Sequence, residues 1–203
     1  MTSTKNNIIR SATIVILVGL AAYFAVRFFW NSAPFIPPAF LEARARGSVL
    51  SENIIKLSQE SLKNLEKISD ADKAGDYSNG LNLVIGEISR NELARASALS
   101  LSNELEVMAL KLGDVKPKAA MNVGLQAIIG QSQLVQRLIN YNGYIYELLD
   151  VLRVRFSNKG ASGAKEVADI IKQMNEESQS INDLNYKYRE LMAKFDGLTR
   201  KEE

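Results

Sequence analysis

The side chains that most often do chemistry in proteins are missing from this sequence. Its 203 residues include no histidine and no cysteine. That removes the usual acid–base group at neutral pH, the commonest metal ligand, and every thiolate nucleophile, disulfide or zinc–thiolate site. Carboxylates remain, and the pairs Glu176-Glu177 and Glu202-Glu203 are the ones to weigh. A carboxylate-bridged metal site in a helical bundle needs a Glu-x-x-His pattern, which this chain cannot form. Both pairs therefore read as solvated charge. No catalytic residue, cofactor site or metal ligand is expected, and the chain reads as non-enzymatic.

One run could bind rather than react. Asn140 to Tyr146 holds Tyr141, Tyr144 and Tyr146 beside Asn140 and Asn142. Tyrosines with amides can line a small-ligand pocket or a protein-binding patch. The plainer alternative puts Tyr141 and Tyr146 in the core and Tyr144 at the surface.

Charge placement narrows the partners. The net charge is +2. Lys5, Arg10 and Arg27 are the only charged side chains before Asn31, which leaves the remainder close to neutral. A neutral domain lacks the basic field of a nucleic-acid binder, so none is expected as a partner.

The first segment is a predicted membrane anchor. Ser11 to Val26 is uncharged and apolar, and the run extends from Ile8 to Trp30. That is about 35 Å of helix, enough to cross a hydrocarbon core of about 30 Å. Arg10 and Arg27 fall near the two headgroup layers, where arginines can snorkel. Phe28, Phe29 and Trp30 suit an aromatic belt. These bulky residues stand where a signal peptidase needs small ones, so the segment is expected to be retained. The short basic tail before it favours an inside amino terminus and an extracytoplasmic domain. The lipid bilayer is thus the first expected partner.

The organisation reads as residues 1–30 tail and anchor, 31–38 a stiff spacer holding Pro34, Pro37 and Pro38, and 39–203 a helical domain. Four helices are predicted. The first runs from Ala39 to Ala71 on Leu50, Ile54, Leu57, Leu65 and Ile68, with Ser61 in the gap. Asp70 to Asp76 reads as a turn. The second runs from Tyr77 to Leu112, through Leu81, Val84 and Ile88, then Ala94, Ala98, Leu101, Leu105 and Met108. Gly113 stops it. The third runs from Pro117 to Phe156 with two adjacent apolar stripes, which predicts packing against two neighbours. Its Gly124 and Gly130 fit either close helix contact or simple tolerance. Gly160 and Gly163 bracket a loop, and Ser162 is a candidate cap for the fourth helix. That helix carries Val167, Ile170, Met174, Ile181, Leu184, Tyr188, Leu191, Phe195 and Leu198 in three–four alternation, broken by Glu177. The predicted fold is all-α: an elongated up-and-down four-helix bundle after a transmembrane helix.

Ala74 to Leu81 resembles the inter-helix turn of a tetratricopeptide repeat, but the pattern does not return at that repeat's period. It reads as an ordinary turn. In architecture the chain is broadly similar to the extracytoplasmic four-helix bundles of chemoreceptors, though it has no second span and no signalling domain. A LemA-like envelope protein is a further analogy of architecture, without a matching motif. The expected function is that of a membrane-anchored helical interaction or scaffold protein, binding a protein partner or its own copies through helices. The alternative is a four-helix-bundle sensor or small-ligand-binding module that acts with a separate signalling partner.

Overall fold

Proline opens the first helix and glycine closes it. The computed structural model describes residues 34–159 and 163–200. Helix α1 spans Pro38–Ala74. Pro38 fits the first turn, where its missing N–H would have no helical partner. Gly75 adopts the left-handed conformation, φ 68°. Its N–H donates to the Asp72 carbonyl at 3.1 Å, and the Asp76 N–H donates to the Ala71 carbonyl at 2.9 Å. The helix therefore passes through the expected turn, because no breaker precedes Gly75. Helix α2, Tyr77–Lys111, begins at Asp76, whose carboxylate accepts the Asn79 N–H at 3.3 Å. A single 3-10 turn, Leu112–Asp114, leads to α3, Lys118–Ser157. Helix α4 spans Ala164–Thr199.

Helix α1 packs along α2, α2 along α3, and α3 along α4. The result is an all-α, up-and-down four-helix bundle. The anchor stretch, with Arg10, Arg27, Phe28, Phe29 and Trp30, lies outside the described residues, as does Ser162. Among the described residues, no helix is long and apolar enough to cross a membrane. The end of the proline-rich spacer belongs to the packed unit. Phe35 forms an antiparallel bridge with Lys116, with N–H···O distances of 3.1 and 2.9 Å. Pro37 is buried, and Ile36 packs on the core.

The core is divided in two. One cluster, around Phe40, Leu101, Met108, Leu112 and Phe195, fills the end where the α2–α3 connection lies. The other, around Ile68, Val84, Leu149, Phe156 and Ile170, fills the end of the α1–α2 turn. Burying each such side chain contributes about 1.5–3 kcal/mol. Two glycines let large rings in. A Cβ on Gly80 would stand 2.8 Å from Phe156, and one on Gly124 would stand 2.8 Å from Leu112 and 3.1 Å from Phe195. Nothing lies within 4 Å of such a position on Gly130. Gly124 is thus a close-contact glycine and Gly130 a tolerated one.

Candidate functional site

Between the two apolar clusters the helices turn polar side chains inward. Glu87 is fully buried. Its carboxylate accepts from Ser61, from Asn64 Nδ2 at 2.9 Å and from Arg90. Glu177 is buried on α4 and faces Arg137 at 3.2 and 3.3 Å and Asn140 Nδ2 at 3.3 Å, both on α3. Asn91 Nδ2 donates to the Asn142 carbonyl at 2.8 Å. These bonds satisfy charges that would otherwise be costly to bury. They also tie α1 to α2, α2 to α3, and α3 to α4.

No comparable tie runs along the seam between α1 and α4. These two helices meet closely at one end only. Phe40 stacks on Phe195 with ring centroids 5.4 Å apart, and Arg44 grips Asp196 with two hydrogen bonds of 2.6 and 2.8 Å. At its other end α1 engages α3, where Arg155 Nε donates to Asp72 at 2.9 Å. Between these contacts α1 and α4 leave a trough. Of the fourth helix's seam, Ile181 and Tyr188 open onto it. Ile170, Met174, Met192 and Phe195 are buried, but Ile181, Leu184, Tyr188 and Leu191 are only half-buried. The alternation from Val167 to Leu198 is thus buried at Ile170, Met174 and Phe195 and half-buried at its other apolar positions.

The trough holds two adjoining cavities that share Ser51, Leu101, Gln131 and Asn185. One, of about 390 Å³, reaches the Arg44–Asp196 pair and includes Glu104 and Arg189. The other, of about 270 Å³, is lined by Ile54, Leu134, Leu138, Tyr141, Ser58 and Asn182, among others, and has no charged residue in its lining. Its α1 rim exposes Ile55 and Leu62, each at 55%. Gln131 stands where the two cavities meet. It is 6% exposed, and its Oε1 has no hydrogen-bond partner in the protein. Asn91 Oδ1 is likewise unpaired, but Asn91 lines neither cavity.

The two tyrosines of the trough titrate high. Burial raises Tyr141. Burial also raises Tyr188, partly opposed by the Arg44 charge and reinforced by Asp196. Both hydroxyls stay protonated across the neutral range and remain hydrogen-bond donors. Arg44 is raised in turn, chiefly by its hydrogen bond to Asp196.

The predicted tyrosine patch does not come together as one surface. Tyr141 lines the uncharged cavity. Tyr144 is half-buried against the cluster near the α1–α2 turn, whereas Tyr146 is 51% exposed and borders a cleft between α3 and α4. The plainer alternative had the last two reversed. Sequence reasoning missed Gln131, Glu87 and Asn91. A usable signal was present, because Val84, Glu87, Asn91, Ala94 and Ala98 keep the three–four spacing through the polar positions. Among the described residues, no group of acidic side chains is placed to hold a metal ion. Comparison with protein-family models, with curated proteins and with solved structures finds no match.

Proposed function

We propose that this chain is a non-enzymatic helical binding module tethered to a membrane, and that the seam between α1 and α4 is its recognition site. The observation that carries this reading is the opening itself. Three of the four sides of the bundle are closed by helix packing, and the fourth is held at one end by Phe40, Phe195 and the Arg44–Asp196 pair. Exposed Ile55 and Leu62 border a cavity whose far wall is core. Binding sites in bundles are commonly built between helices in this way. The tether rests on the apolar stretch from Ile8 to Trp30, and the extracytoplasmic placement of the bundle rests on Lys5 and Arg10.

The test fills the trough from one wall. Ser58 lines the uncharged cavity from α1, and Ser58→Trp puts an indole into that space. The full chain and the variant are purified from membranes under mild conditions and weighed by native mass spectrometry. A bound species, protein or small molecule, that is present on the full chain and lost on a folded Ser58→Trp variant supports the reading. No bound species, or one that Ser58→Trp retains, overturns the assignment of the seam.

A further inference from the structure

A buried amide oxygen beside a cavity needs a donor, and rotation of the amide can turn it toward the cavity. Gln131 Oε1 has none from the protein, although its side chain is almost wholly enclosed. Around it the lining divides by chemistry. Ile54, Leu101, Leu134 and Leu138 supply an apolar wall, and Tyr141 and Asn182 supply polar edges. Charge is confined to the neighbouring cavity, where Arg44 is already engaged by Asp196. A charged ligand entering the uncharged cavity would lose its hydration without gaining a counter-ion. An apolar ligand lacking a donor would leave Gln131 Oε1 as it is.

We infer that the cavity around Gln131 binds an uncharged, amphipathic small molecule that presents a hydrogen-bond donor to Gln131 Oε1. This rests on the seam being the module's binding site, and it names what enters. A cavity of about 270 Å³ lies just below the usual range for ligand pockets and suits a small molecule of roughly ten heavy atoms. The apolar wall holds its body, and the amide selects for the donor.

Three probes of one shape decide the matter: 2-naphthol, which is neutral and carries a donor; naphthalene, which is neutral without one; and 2-naphthoate, which is charged. Each is titrated into the full chain in lipid nanodiscs, with the methyl resonances of Ile54, Leu101 and Leu134 as the readout. Affinities are taken against the free probe concentration measured beside empty nanodiscs, because the three probes partition differently into lipid. 2-Naphthol is expected to bind about three- to tenfold more tightly than naphthalene, the worth of one hydrogen bond. 2-Naphthoate should bind most weakly. Gln131→Leu should remove the preference for 2-naphthol and keep the binding of naphthalene. Gln131→Met serves as the second variant if Gln131→Leu does not fold. Equal binding of 2-naphthol and naphthalene to wild type overturns the proposal, as does a preference that survives the loss of Gln131. 2-Naphthoate binding as tightly as 2-naphthol overturns the neutral class. No methyl shift with any probe means that Gln131 serves water alone, which also overturns it. The Ser58→Trp comparison is read independently, so a species lost on that variant beside a failed naphthol titration leaves the seam standing and removes only this ligand class.

Discussion

Gln131 is a residue the fold would do better without. An enclosed amide oxygen with no protein partner costs about 1–3 kcal/mol, and leucine of similar size would remove that cost and add apolar contact. Gln131→Leu should therefore raise the urea midpoint, at unchanged slope, by an amount equivalent to about 1–2 kcal/mol. A lowered midpoint would mean that the amide is well satisfied, and the site would lose its main support. Glycines at this scale give a paired test. Gly124→Ala pushes a methyl into Leu112 and Phe195, which overpacks the core at a cost of about 1–3 kcal/mol. Gly130→Ala meets open space and should gain up to about 1 kcal/mol of helix propensity. The two thermal midpoints should move in opposite directions. Titration supplies another prediction. Tyr141 and Tyr188 are held above their ordinary range in the folded chain, chiefly by burial. Unfolded tyrosines lose their protons near pH 10, so above that pH the unfolded state binds fewer protons than the folded one. Their contribution is therefore complete below about pH 10 and is lost as pH rises through the folded values. Replacing both tyrosines by Phe should flatten the fall in denaturant midpoint above about pH 10.

At the scale of the helix, polarity interrupts the apolar stripes without interrupting burial. Helix α2 buries Val84, Glu87, Asn91, Ala94 and Ala98 in succession. Helix α4 buries Ile170, Met174 and Glu177. The starts of α2 and α3 were legible, because Asp76 and Pro117 act locally and the apolar spacing names each face, whereas α1 runs on to Ala74, past the Ala71 expected. The interior glutamate of α2 was not, because a polar residue within a stripe looks like a lapse toward solvent. Only its partners reveal it, and Ser61 and Asn64 lie on α1. The open seam was hidden for a related reason. The three–four alternation of α4 records which residues face inward, but not how near α1 comes to cover them. The two buried glutamates should behave differently. Glu87→Leu strands Ser61 and Asn64 and leaves Arg90, 27% exposed, with only Glu60 at 3.4 Å, and should cost about 3 kcal/mol. Glu177→Leu frees Arg137, which is 48% exposed and can return to water, and should fall within about 1 kcal/mol of neutral. Equal losses in urea melts of the two variants would refute this difference between the two pairs.

The whole molecule has two unlike ends, and the proposed tether distinguishes them. The Phe35–Lys116 bridge fixes the start of the packed unit beside the α2–α3 connection. The aromatic end of the predicted span, Trp30, is separated from Pro34 by Asn31, Ser32 and Ala33. So short a stretch reaches at most roughly 15 Å even when extended. If the anchor is in the bilayer, the end holding Phe40, Phe195 and the Arg44–Asp196 pair sits close to the headgroups. The end with the α1–α2 turn then projects outward by about 50 Å, the length of α2. Under the proposed tether the closed end of the seam would lie against the membrane and the uncharged cavity would face water at mid-height. The absence of cysteine makes the arrangement simple to test, since a single introduced thiol is the only one labelled. Asp114→Cys, in the α2–α3 connection, and Ala74→Cys, at the end of α1, are both exposed positions. Each carries a fluorophore in full-length chain reconstituted with lipids bearing a headgroup quencher. The label at Asp114 should be quenched strongly and the label at Ala74 scarcely at all, since quenching of this kind fades well within 50 Å. The reverse order would place the α1–α2 turn at the bilayer, against the Phe35–Lys116 bridge. Equal, weak quenching at both positions would mean that the bundle is not held at the surface, and the tethered reading would fall with it.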